Sequence, residues 1–147
     1  MYQTILVPTD FSDPADEAWR HAVALAKHCG SRVVLLYVVE PVLSHYGVVG
    51  LIPSVRELEE QHDIASRLKL KERVEQAERE GLRVEGRIAS GKPWQCVVEV
   101  AGQLKAELVV MGTHGRTGVA HETLGSTAER VVRQAPCPVM VVRPVGR

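Results

Sequence analysis

A chain of 147 residues fits one α/β domain with a sizeable core and leaves no length for a second full domain. Its 18 acidic and 18 basic residues balance, so bulk charge gives no basis for a nucleic-acid or membrane partner. Cys29, Cys96 and Cys137 form an odd, widely spaced set without a CxxC, which excludes a disulfide framework and reads as three reduced, buried, small apolar residues.

The opening MYQTILVPTD carries an acid within its first ten residues and has no long apolar core, so it is not expected to be a signal peptide. No apolar run approaches the roughly 20 residues of a membrane span, and a cytoplasmic protein is the expectation. Ile5, Leu6 and Val7, ended by Pro8, read as a short buried strand. Asp13 and Pro14 offer an N-cap followed by a first-turn proline. Ala15, Ala18, Trp19, Ala22, Val23 and Ala26 then recur at helical spacing until Gly30 supplies the stop.

Val33 to Val39 is nearly continuous in apolar residues, as expected of a parallel strand buried on both faces. The stretch from Pro41 to Pro53 has no strong period and reads as a loop. Ser54 and Glu57 match a capping box that opens a long helix. Leu58, Ala65, Leu68, Val74 and Ala77 mark its expected apolar side, and Gly81 its end. From Leu82 to Ile88 the chain alternates, with Leu82, Val84 and Ile88 on one side and Arg83, Glu85 and Arg87 on the other: a half-exposed strand at a sheet edge. Pro93 opens a helix through Val97, Val100, Ala101 and Leu104. Leu108 to Met111 is the fourth strand, Ser126 to about Gln134 a helix, and Val139 to Val142 the fifth strand. The alternation of strand and helix predicts a doubly wound parallel sheet of the Rossmann-like kind.

In such sheets ligands bind beyond the carboxyl ends of the strands, where the strand order reverses. Two segments at strand ends carry the chemistry. Gly112-Thr113-His114-Gly115 follows the fourth strand, with glycines that permit positive φ and close backbone approach, and successive amides able to form an anion nest. Gly125-Ser126-Thr127 precedes a helix whose N-terminus supplies free N–H groups, partial positive charge and two hydroxyls. Together these could hold a di- or triphosphate without a lysine; an ordinary βα loop with Ser126 as N-cap is the alternative. Asp10 follows the first strand, where a carboxylate can accept hydrogen bonds from a ribose hydroxyl or simply cap the next helix. Neither GxxxxGK[ST] nor a GxGxxG after the first strand is present, which excludes the usual P-loop and Rossmann fingerprints. His21, His28, His45, His62 and His121 show no metal-ligand spacing and read as surface or helix-face residues. Trp19 is expected in the core and Trp94 near a helix start.

The stretch MGTHGRTGVAHETLGST, with glycine, two residues, glycine, nine residues, then glycine and serine, resembles the nucleotide-binding motif of the universal stress proteins. ILVPTDFSDPADEAWRHAVALA is similar to that family's opening strand and helix, VVLLYVVEP to its second strand and APCPVMVVRP to its last. The resemblance covers nearly the whole chain, 1–147, as one domain. It implies five strands in the order 3-2-1-4-5, a homodimer, and ATP as ligand, with Mg²⁺ as a possible companion. In the ATP-binding branch it puts Pro8, Thr9 and Asp10 by the adenosine, the Val38 backbone at adenine, and Met111 and Gly112 at the ribose. His114, Gly115, Gly125, Ser126 and Thr127 then surround the phosphates. Ala120 stands where a basic residue is frequent, and Glu122 and Thr123 where apolar residues are usual.

A phosphate cradle without an evident catalytic set points to a regulatory ATP-binding module read by a protein partner. A slow ATPase or phosphotransferase is the alternative enzyme reading, and an interaction protein with a vestigial nucleotide site the third. The apolar Val139 to Val142 at the predicted sheet edge invites pairing with a second copy.

Overall fold

The computed structural model describes residues 1–41, 53–114 and 124–144. Gly115, His45, His121, the spacer residues Ala120, Glu122 and Thr123, and the loop between Pro41 and Pro53 lie outside the described residues.

Strand and helix alternate as β1 (Thr4–Thr9), α1 (Asp13–Cys29), β2 (Arg32–Val39), α2 (Pro53–Arg79), β3 (Arg83–Ser90), α3 (Pro93–Leu104), β4 (Leu108–Gly112), α4 (Ser126–Gln134) and β5 (Val139–Val142). The five strands form one parallel sheet in the order β3-β2-β1-β4-β5, the order the family resemblance implies. None of the described helices is long and apolar enough to cross a membrane.

The continuous apolar runs in β1 and β2 reflect burial on two faces. Odd residues Ile5, Val7, Val33, Leu35 and Tyr37 pack with Leu108 and Val110 beneath Ala18, Ala22 and Ala26 of α1 and Leu70 of α2. Even residues Leu6, Val34 and Leu36 pack with Val109 and Met111 against Val97, Val100 and Ala101 of α3 and Ala128 and Val131 of α4. Burying a side chain such as Leu35 contributes about 1.5–3 kcal/mol, so these two clusters dominate stability.

Ser12, not Asp13, caps α1: its Oγ accepts the Ala15 N–H at 3.4 Å, and Asp13 is already helical. The reason is local. The Asp10 carboxylate takes the Ser12 amide at 3.0 Å, which closes the preceding turn one residue early. Gly30 ends α1 at φ 71°, its N–H donating to the Ala26 carbonyl at 2.8 Å.

The buried side of α2 also differs from the expected one. Ser66, Leu70 and Ala77 are buried, whereas Leu58, Ala65 and Leu68 are exposed. A helix of 27 residues spans about 40 Å, but the eight-residue β3 beneath it only about 26 Å. The N-terminal half of α2 therefore runs past the sheet and turns its leucines to solvent. Ser54 lies within the helix, which already includes Pro53, so it is not the N-cap.

β3 is an edge strand, as its alternation indicates, but Ile88 near its carboxyl end is 41% exposed. Of the cysteines only Cys96 is buried; Cys137 is half-buried and Cys29 exposed. Trp19 and Trp94 are partly buried against the two opposite clusters, and the Arg130 guanidinium lies 5.1 Å from the Trp94 ring centre.

Candidate functional site

Parallel strands place all their carboxyl ends on one edge, and the helices that follow begin there. β2 flanks β1 on one side and β4 on the other, so the chain reverses its direction of winding between the ends of β1 and β4. A crevice at that point is the general site of ligand binding in open α/β sheets.

One wall is the turn after β1. Thr9 is buried, and its Oγ1 accepts the Phe11 amide at 3.0 Å. Asp10 Oδ1 accepts the Ser12 amide at the same distance. Phe11 between them has φ 61°, a left-handed conformation that costs a residue with a Cβ about 1–2 kcal/mol. Its ring, packed against the α1–α2 cluster, holds it there.

The opposite wall joins β4 to α4. Thr113 donates its N–H to the Val142 carbonyl at 3.2 Å, and its own carbonyl accepts the Gly125 N–H at 2.8 Å. The two ends of the intervening segment are thus tied together, and His114 Nδ1 lies 3.1 Å from Thr113 Oγ1. Gly125 is the N-cap of α4, so no side chain caps the helix. The first-turn amides of Ser126, Thr127 and Ala128, which have no acceptor within the helix, lie beside the crevice. Partial positive charge at this terminus makes it suited to an anion.

Gly112, one of the two glycines expected to permit positive φ, does not adopt it, and Gly125 has φ -68°. A Cβ on Gly112 would sit 2.7 Å from the Pro14 carbonyl carbon, so this glycine admits the first turn of α1 against β4. A Cβ on Gly125 would sit 3.0 Å from the Thr113 carbonyl oxygen, so that glycine lets α4 approach the strand end. Both serve close packing around the crevice.

The crevice is a cavity of about 290 Å³, near the lower bound for small-molecule sites. Pro8, Thr9, Asp10, Val38, Met111, Gly112, His114, Gly125, Ser126 and Thr127 all line it. Gly115 lies outside the described residues. Thr113 of the Gly112-Thr113-His114-Gly115 segment also lines it, and Tyr37, Val39, Glu40, Glu59, His62, Pro93 and Val97 line the same cavity and escaped the sequence reading. His62, read as a surface or helix-face residue, is half-buried on the face of α2 that lines the cavity. The signal for Pro93 and Val97 was topological, since α3 begins at the carboxyl edge; Glu59 and His62 come from the second and third turns of α2, which outruns the sheet. No group of three or more His, Cys, Asp or Glu side chains suited to a metal ion occurs among the described residues.

Residues 1–143 match a family model described as the Universal stress protein family. Universal stress protein MJ0531 of Methanocaldococcus jannaschii is 38% identical over 147 residues, covering 97% of this chain and 83% of that protein. Among solved structures, universal stress protein UspA from Lactobacillus plantarum superposes with a TM-score of 0.82 at 30% identity, covering 97% of this chain and 98% of its own. A universal stress protein solved in complex with cAMP gives a TM-score of 0.70 at 26% identity, covering 97% and 98% of the two chains. With the sheet order, the crevice and the spaced glycines, these matches show that the chain belongs to the universal stress protein family.

Proposed function

We propose that this protein binds an adenine nucleotide, ATP foremost, and acts as a regulatory module rather than a fast enzyme. The observation that carries the reading is the convergence of the side-chain-free α4 N-terminus and the Asp10 turn on one cavity. Amides of Ser126, Thr127 and Ala128 are suited to phosphate oxygens, with His114 beside them. Asp10 is suited to the ribose hydroxyls, near Met111 and Gly112. The half-buried Val38 offers backbone groups to the base, with Pro93 and Val97 supplying apolar surface nearby. The relative in complex with cAMP supports adenine as the base. Mg²⁺ would arrive on the phosphates. The chain is proposed to act as one domain over 1–147, in the cytoplasm, as a homodimer paired through β5, with a protein partner reading the nucleotide state.

Thermal unfolding with Mg-ATP, with Mg-GTP as control, tests this. Ligand at a hundred times its Kd adds about 2.7 kcal/mol, which raises Tm by about 5–10 °C for a domain of this size. A rise with ATP alone is the expected result. No rise at millimolar ATP would leave a vestigial site and favour the interaction-protein reading.

A further inference from the structure

Helix α2 reaches the candidate site twice. Its first half contributes Glu59 and His62 to the cavity wall. Its middle grips the turn that carries Asp10, without touching the cavity at that point. The Arg73 guanidinium lies 5.1 Å from the centre of the Phe11 ring, and the Lys69 ammonium 5.9 Å. These two cations are one helical turn apart and both lie over the same ring. Arg73 also donates to Asp16 Oδ1 at 2.7 Å, which anchors it to the first turn of α1. The Phe11 ring also meets the ring of Tyr37, itself a cavity residue, at a centroid distance of 6.1 Å.

This grip matters because Phe11 is left-handed at φ 61°. Few side chains adopt that backbone unless their surroundings fix it. Phe11 is flanked by the two groups that the turn aims. Its own amide goes to Thr9 Oγ1, and the next amide, of Ser12, goes to Asp10 Oδ1. If Phe11 relaxed to negative φ, the Ser12 amide would swing relative to the Phe11 amide, and the Asp10 carboxylate would lose the Ser12 hydrogen bond that helps to orient it.

We propose that Phe11, clamped by Arg73 and Lys69, is a positioning residue that sets the direction of the Asp10 carboxylate and so the recognition of ribose hydroxyls. The proposal rests on the nucleotide reading above and deepens it. Arg73 belongs to the same device at one remove: it holds the ring, the ring holds the backbone, and the backbone aims the carboxylate. A carboxylate has about four acceptor positions, so Asp10 can keep the Ser12 amide and still take a ribose hydroxyl.

The test compares ATP with 2′,3′-dideoxy-ATP by titration calorimetry, since only the first offers hydroxyls to Asp10. A hydrogen bond to a charged acceptor makes a difference of about tenfold or more in affinity. The wild-type protein should prefer ATP by that factor, and Asp10→Ala should erase the preference. Arg73→Gln and Phe11→Ala, which removes the ring but keeps the Cβ that disfavours positive φ, should bring it to within about threefold while leaving dideoxy-ATP affinity unchanged, and Arg73→Lys should restore it. Parallel loss of both affinities in Arg73→Gln and Phe11→Ala would mean ordinary structural damage and overturn the proposal, as would an unchanged preference. Equal wild-type binding of the two nucleotides would also overturn it, with the nucleotide reading left intact. Binding of neither would end the nucleotide reading itself, and this inference with it. Should Phe11→Ala fail to fold by circular dichroism, the Arg73 pair decides alone.

Discussion

Gly112→Ala adds one methyl group where β4 passes under α1. That methyl would lie 2.7 Å from the Pro14 carbonyl carbon, 2.8 Å from its oxygen and 2.9 Å from its Cβ. Ordinary contact begins near 3.4 Å, so α1 and β4 must separate by about 0.7 Å. The atoms struck are backbone, and no rotamer change relieves them. Overpacking of this kind costs about 1–3 kcal/mol, which lowers Tm by about 2–12 °C in a domain of this size. Gly102→Ala provides the reference. Gly102 lies inside α3 with nothing within 4 Å of the added Cβ, and there alanine should stabilise by about 0.5–1 kcal/mol. Differential scanning calorimetry of the two variants against wild type reads both effects. A Gly112→Ala protein melting at or above the wild-type temperature would refute the steric account of this glycine.

Four further outcomes follow from other features. Gly125→Val places a branched side chain against the Thr113 carbonyl and should abolish the ATP-dependent rise in Tm; a retained rise would show that the α4 terminus holds no phosphate. Val141→Lys on the β5 edge should convert a dimer to a monomer by light scattering, and an unchanged mass would remove β5 from the interface. Burial raises the pKa of Cys96, with Glu99 adding to it, and burial raises that of Cys137. A raised folded-state pKa contributes stability that is present below the unfolded thiol value of about 8.5 and is lost as pH rises through the folded value. Urea midpoints should therefore be flat below about pH 8 on this account and fall above it. A disulfide exchange reagent at pH 8 should modify Cys29 first and Cys96 only on unfolding; equal rates would contradict the burial of Cys96.

The sheet was legible because parallel strands buried on both faces leave continuous apolar runs, as in Val33 to Val39, and each is closed by a helix signal. The strand-end segments bearing Asp10, His114 and Ser126 were legible for a related reason: topology confines ligand chemistry to one edge. The rest depended on contacts distant in sequence. The role of Gly112 appears only when Pro14 is set against it. Glu59 and His62 join the cavity because α2 overhangs the sheet, and helical periodicity carries no information on how far a helix outruns the strand beneath it. The exposure of Leu58 and Leu68 has the same origin. Nothing in an isolated Asp-Phe-Ser foretells a left-handed phenylalanine, since the ring partners that hold it lie on β2 and α2.

The two borders of the sheet are unlike. On β3, Glu85 pairs with Arg87 at 2.8 Å and with Arg32 at 3.5 Å, and Arg83 donates to the Gly30 carbonyl at 2.6 Å, so charge studs that border. On β5 the residues are Val139, Met140, Val141 and Val142, with Met140 39% exposed. Charged borders resist the addition of strands and apolar ones accept it. Under the proposed pairing through β5, the assembly valency is one. A copy docking on β5 in two-fold fashion would use up the receptive border of both partners and present only charged ones outward, so growth would stop at two chains and never proceed to a fibre.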